Sequence, residues 1–314
     1  MSFTRYLVLA LGLLCAPLAI ANFRIVVSVD WEGRNLDPEN LEAMRAFRSD
    51  YPAIPLEHFL NAAYFTKPKV DPVATEAAIR SVLREGDEQG LHIHAWKSLV
   101  EAAGVHFRTE PAFKGYFDAS KCDPDCGHDI NLASYNEAEL RKLLRFSIKT
   151  LGKHGFKRPV SFRAGAWQAE QRTLSALAAE GFTLDSSATY AEYLKERWGH
   201  TLLYPVTAKI WPNITPTSQP YTIELGQGRK ILELPNNGCL ADYMTGEAIL
   251  KAFRANVELW KKKPDGDTYL SIGFHQETAK KFLPQLRAGI DAIIAEAKAQ
   301  NIPIEFVVPP LTIH

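Results

Sequence analysis

The chain has 314 residues, 46% of them hydrophobic, and its 36 basic side chains balance 36 acidic ones. That composition supplies a sizeable core, and the zero net charge argues against a protein that works through a global field for nucleic acid or an anionic membrane. Nineteen glycines and nineteen prolines are dispersed, and no repeat of roughly 20–50 residues is visible, which argues against a solenoid or propeller.

In chain order, "MSFTR" gives a short basic start, "YLVLALGLLCAPLAIA" an apolar stretch, and Ala19-Ile20-Ala21 a small-x-small cleavage site. Residues 1–21 are therefore expected to be a secretory signal peptide, leaving residues 22–314 as one exported domain, periplasmic or secreted. No later stretch is apolar enough to span a bilayer, so no stable membrane insertion is expected after cleavage. Cys15 leaves with the leader, and Cys122, Cys126 and Cys239 remain. In an oxidising compartment "KCDPDCGHD" most simply closes a small disulfide loop, with Cys239 a buried free thiol. The sharper alternative is a metal site from Cys122, Cys126, His128 and Asp129, although that spacing matches no standard zinc pattern.

"FRIVVSV" reads as a strand and "DPENLEAMRAFRSD" as a helix capped by Asp37 with Pro38 in its first turn. "PLEHFLNAAYF" reads as a second strand, residues 71–90 as another Asp-Pro-started helix closed by Gly90, and "LHIHAW" as a short strand. Residues 97–134 are polar and irregular. Helical patterns at 135–155, 169–181, 245–263 and 277–301 then alternate with strands in "RPVSFRAG", "FTLDSS", "KILELP", "TYLSIGFH" and "IPIEFVV"; residues 190–230 read as a second long loop. This alternation predicts an α/β fold, a distorted (β/α) barrel of about seven strand–helix units, whose chemistry sits at the C-terminal strand ends.

The strand ends carry Asp30 and Glu32, His92 and His94, Arg163, Asp185, Asn236 and Asn237, and His275. His92 and His94 alternate at period two, so both imidazoles share one face of a strand. Two histidines and a neighbouring carboxylate supply the three protein ligands of a catalytic metal with an open position. Asp30 and Glu32 also share a face, and two carboxylates so close repel unless a divalent cation lies between them. His275 suits a general acid, and Arg163 suits a clamp on a carboxylate or the substrate. Trp31, Trp96 and Trp167 ride on these motifs and would offer indole faces to sugar rings, with Asp185 a further substrate contact.

The order of motifs resembles the polysaccharide deacetylase family (carbohydrate esterase family four, the NodB-homology domain). Its members read Thr-Phe-Asp-Asp, Gly-x-His-x-x-x-His, Arg-x-Pro-Tyr, a later aspartate motif and Leu-x-His; here the order is "SVDWEG", "QGLHIHAW", "SFRAGAW", "GFTLDSSAT" and "IGFHQE". The resemblance implies a distorted barrel that removes N-acetyl groups from an amino-sugar polysaccharide or oligosaccharide with a divalent metal ion, zinc the favoured one. It implies Asp30 as base, His275 as acid, Arg163 as the residue orienting Asp30, and His92 as the first metal histidine, with a backbone N–H near residue 164 holding the oxyanion. Trp31 stands at the family's second aspartate and Trp96 at its second histidine, so Glu32 and His94 are expected to have taken over as ligands. Two rivals remain open: a polysaccharide-binding barrel without metal, and a glycoside hydrolase using two carboxylates such as Asp30 and Asp185.

Overall fold

The computed structural model describes residues 22–262 and 266–309. The expected signal peptide lies outside the described residues, and no described helix is long and apolar enough to cross a membrane.

A curled sheet surrounded by helices forms the frame. Its strands are β1 (Phe23–Asp30), β2 (Glu57–Leu60), β3 (Glu88–Ile93), β4 (Ser161–Ala164), β5 (Leu184–Asp185), β6 (Tyr221–Glu224), β7 (Lys230–Glu233), β8 (Thr268–His275) and β9 (Ile304–Val307). The order runs β6-β7-β5-β4-β3-β2-β1-β8, all parallel except the β6–β7 hairpin. One edge of β1 is shared: β9 pairs its first half and β2 its second. Beyond β7 the chain turns back onto β8, where Gly238 N–H donates to Ser271 O (2.9 Å) and Ala241 N–H to Gly273 O (2.8 Å). An irregular segment thus closes the ring that the strands leave open.

Alternation divides β1 between two environments. Phe23, Ile25, Val27 and Val29 join the main apolar core under the helices, whereas Val26 meets Leu184, Leu234 and Tyr269 in a small plug inside the barrel. Above the plug the interior is polar, with Ser28, Glu57, Ser161 and Arg163 all buried. Gly273 stands level with Ser28; a side chain there would lie 2.5 Å from Ser28 Oγ.

The helices are α1 (Pro38–Asp50), α2 (Pro72–Arg80), α3 (Lys97–Ala102), α4 (Glu137–Lys153), α5 (Gln171–Ala179), α6 (Glu192–Trp198), α7 (Leu203–Ile210), α8 (Gly246–Trp260) and α9 (Ala279–Gln300). Local chemistry sets their ends. Asn136 and Glu139 form a capping box on α4, Asp71 accepts from Val73 and Ala74 N–H at the start of α2, and Asn301 ends α9 in the left-handed region at φ 54°.

Three sequence expectations are corrected. The second strand stops at Leu60, because the Asn61 side chain accepts from Ala63 N–H and starts a 3-10 turn over Ala62–Phe65. Helix α2 ends at Arg80, and Gly90 belongs to β3, where a side chain would lie 2.5 Å from Ser161 Oγ. Residues 190–230 are not a loop: α6, α7 and β6 lie there, too short for their periodicity to stand out among the prolines.

Candidate metal centre

The ends of β1, β3, β4 and β8 open into a cleft of about 410 Å³. Asp30 and His275 are level partners on β1 and β8, and His92 and Arg163 on β3 and β4. Parallel pairing at that register brings residues distant in sequence onto one face of the barrel mouth.

Arg163 is fully buried and each of its three guanidinium nitrogens donates a hydrogen bond. Nη1 donates to Asp30 Oδ1 (2.7 Å) and Ser28 Oγ (2.8 Å), Nε to Ser186 O (2.8 Å) and Nη2 to Ser186 Oγ (2.8 Å), over the Phe59 ring. Such a fork fixes the orientation of Asp30, and Arg163 itself does not line the cleft. His275 Nδ1 lies 2.9 Å from Asp242 Oδ2, and its Nε2 lies 3.4 Å from Glu32 Oε1. Burial pushes the His275 imidazolium pKa down, but Asp242, Glu32 and Asp30 outweigh it and raise it to about 10. Asp242 also takes a bond from Thr278 Oγ1.

Glu32 stands in the middle of four imidazoles. Its Oε2 lies 2.5 Å from His128 Nε2 and 2.9 Å from His94 Nε2, and its Oε1 lies 3.4 Å from His92 Nε2 and from His275 Nε2. Burial alone would raise its carboxyl pKa, but His94, His275, His128 and His92 hold it well below the ordinary carboxylate range. The Glu32 carbonyl is pinned as well, accepting from Trp96 Nε1 (2.7 Å) and Asn61 Nδ2 (3.1 Å).

The tautomers show what this cluster needs. His92 Nδ1 faces Arg163 O at 2.8 Å, and His94 Nδ1 faces His128 O at 2.7 Å. A carbonyl only accepts, so both Nδ1 atoms carry the proton. His128 Nδ1 lies 3.0 Å from the Asp129 carboxylate, itself held by Lys114 at 2.7 Å. Three rings therefore turn their Nε2 atoms towards one carboxylate, and His92 Nε2 is buried without a hydrogen-bond partner. Donor atoms gathered this closely need a proton or a cation between them, and Nδ1 held by carbonyl or carboxylate is the usual outer support of a metal-binding histidine. The ligand atoms of Glu32, His94 and His128 all lie within 4.8 Å of one another, a donor set suited to zinc.

Sequence reasoning selected Glu32, His92 and His94 for this role; the geometry adds His128 and sets His92 at the flank of the trio. Neither His128 nor Asp242 was singled out for these positions. His128 follows the Cys122–Cys126 disulfide, which leaves no thiolates for the alternative cysteine site. Cys239 is a buried free thiol, its pKa pushed up to about 12 by burial.

The remaining expected contacts divide. Trp167 lines the cleft with Phe113, Trp198 and Tyr243. Trp96 lines a smaller neighbouring cavity, with Lys67 Nζ 3.7 Å from its ring centre. Trp31 is corrected: it is fully buried on the outer face of the sheet, its indole N–H donating to His58 Nδ1 (3.2 Å), because alternation turns it away from Asp30 and Glu32. Asp185 is corrected too. It is level with Phe162, lies in the interior beside Glu233 and does not line the cleft; burial pushes both carboxyls up. Asn236 and Asn237 are spent on the closing segment, donating to Ser271 O (3.1 Å) and Tyr269 O (3.0 Å). The Ala164 N–H is already given to Ser187 Oγ (2.9 Å), so it is not the expected oxyanion donor.

Neither a protein-family model nor a curated protein matches the sequence. Among solved structures, Puue allantoinase aligns with a TM-score of 0.53 at 14% identity over 91% of this chain and 87% of that one. A candidate glycoside hydrolase/deacetylase from Parabacteroides distasonis gives 0.51 at 12% identity over 93% and 70%. A candidate polysaccharide deacetylase from Mycobacterium smegmatis gives 0.49 at 15% identity over 93% and 96%. The first two likenesses establish that the chain has the distorted (β/α)-barrel fold of these proteins, the fold that its ordered motifs predict.

Proposed function

We propose that the chain is an exported, metal-dependent carbohydrate deacetylase that removes N-acetyl groups from an amino-sugar polysaccharide or oligosaccharide. The observation that carries the reading is the convergence, in one cleft, of three imidazole Nε2 atoms on Glu32 with the Asp30–Arg163 and His275–Asp242 pairs. The motif order and the deacetylase named among the fold neighbours support it.

Glu32, His94 and His128 would hold the ion, with His92 beside them, and a bound zinc would supply Lewis acidity to the acyl carbonyl and acidify water. Asp30, fixed by Arg163, takes the proton of the attacking water. His275, oriented through Nδ1 by Asp242, carries a proton at Nε2 and delivers it to the departing amine. The aromatic lining of Phe113, Trp167, Trp198 and Tyr243 suits the apolar faces of sugar rings. The two-carboxylate glycosidase reading loses support because Asp185 is not in the cleft.

The test is the product. N-acetylglucosamine oligosaccharides incubated with the zinc-loaded chain should release acetate without new reducing ends, and a chelator should abolish the release. New reducing ends would indicate glycoside hydrolysis, and tight oligosaccharide binding without any product would indicate a binding barrel.

A further inference from the structure

His128 reaches the centre from a segment that no barrel strand carries. Two residues before it, Cys126 is joined to Cys122 across a sequence separation of 4. The closed loop lies against the first turn of α3. Cys126 O accepts from Lys97 N–H (2.7 Å), and the Asp125 carboxylate accepts from Ser98 N–H (3.1 Å), Ser98 Oγ (2.7 Å) and Lys67 Nζ (3.1 Å). Helix α3 begins at Lys97, directly after the β3 extension that carries His94, and His94 Nδ1 in turn donates to His128 O. The two ligand-bearing segments are therefore braced to each other. Between brace and ligand, Gly127 turns the chain at φ +95°, where a side chain would lie 2.4 Å from Ala95 O. The place of His128 is set by residues 122–127 and by its contact with His94, and not by a strand of its own.

Hydrogen bonds on a loop open at low free energy, whereas a cross-link removes open conformations from the ensemble. We infer that the Cys122–Cys126 disulfide is the latch that delivers His128 to the cation site, so that the full ligand set exists only after this bond has formed. The inference rests on the metal reading above. Bond formation by exchange with an external disulfide takes two electrons and two protons from the two thiols and releases that partner as a dithiol. Exchange with a dithiol reverses the step and opens the latch. A chain that is still reduced would thus lack the braced Glu32–His94–His128 set, and one that has reached an oxidising compartment would have it complete.

The experiment measures zinc affinity by competition with a chromophoric chelator, on full chain purified from an oxidising compartment. The variants are Cys122→Ser with Cys126→Ser, His128→Ala, and all three together. Serines remove the bond without leaving thiolates that bind zinc and without adding a reductant that chelates it. The serine pair should weaken zinc binding about tenfold or more in the native background and change nothing when His128 is already alanine. A bond with a merely structural role weakens both backgrounds alike. If the serine pair does not fold, Cys122→Ala with Cys126→Ala removes the same bond and should show the same dependence on His128. Equal affinity of variant and native chain, or an equal loss on both backgrounds, overturns the latch and leaves the cation site standing. Failure of the native chain to bind zinc overturns both.

Discussion

On the barrel side of the cleft, Asp30, His92, His94 and His275 leave the ends of the parallel strands β1, β3 and β8; Asp30, His92 and His275 are fixed by the buried Arg163 side chain, the Arg163 carbonyl and Asp242, and His94 by the carbonyl of His128. On the opposite side His128 leaves a disulfide-closed loop, partly exposed, with the half-exposed Asp129–Lys114 pair behind it. The strand side is ordered by a register that runs through the whole sheet, and the loop side by a handful of local bonds. Removing the strand-side Asp30 or His275 should therefore disturb chemistry, removing the strand-side His94 both metal affinity and the frame, and removing the loop-side His128 metal affinity alone.

The largest effects belong to the strand side. Asp30→Asn and His275→Ala should each lower kcat by about 10²–10⁴-fold with zinc still bound, the range for loss of a general base or acid. Zinc content measured beside kcat decides the matter, since a variant that loses both would place its residue among the ligands. The next effect compares ligands from the two sides. His94→Ala and His128→Ala should each weaken zinc binding by at least about tenfold, but only His94→Ala should lower the stability of the zinc-free chain, by about 1–3 kcal/mol read through its thermal midpoint, because His94 is 4% exposed against a partly exposed His128. Equal midpoints for the two variants would erase the distinction between strand side and loop side.

Two glycines sharpen the same comparison. A side chain at Gly165 would stand 2.6 Å from His94 Cε1, so Gly165→Ala must displace the ring. At Gly127 the obstacle is the backbone oxygen of Ala95, and the positive φ adds strain of about 1 kcal/mol. Both substitutions should weaken zinc binding by about tenfold, read by chelator competition. Gly127→Ala should do so through His128 alone and add nothing to His128→Ala.

What could be read before folding follows this division. Asp30, Glu32, His92, His94, Arg163 and His275 were legible because strand periodicity and strand-end position are local properties of the sequence. The same periodicity also held the correction for Trp31: a residue between two cleft carboxylates must face away from the cleft. His128 was visible only as part of a cysteine-rich stretch, since nothing in its neighbours states how far across the barrel the loop folds. Asp242 was hidden for a related reason. It follows the irregular closure Asn236–Ala241, which becomes a strand substitute only once β8 is there to pair with. Local chemistry marks residues on regular elements; a residue placed by a tertiary contact carries no such mark.

An effect on stability alone lies beneath the cleft and tests how its floor tolerates charge. Glu57 is fully buried beside Arg163, and burial pushes its carboxyl up to about 7, with Arg163 opposing the shift. The folded chain then binds a proton that the unfolded chain has released. The stability Glu57 contributes is present below its unfolded pKa near 4.5 and is lost as pH rises towards 7. Glu57→Gln keeps the shape and removes the titration. Its stability relative to the native chain should rise with pH across that window, by on the order of 2 kcal/mol, and level off above it. Urea midpoints of both zinc-free chains at pH 5, 6, 7 and 8 (about one pH unit apart) give the difference directly. A difference independent of pH would mean that Glu57 stays ionised against Arg163 throughout. The floor would then be held by an ion pair, as Asp30 is, and the cleft and its foundation would obey one electrostatic rule instead of two.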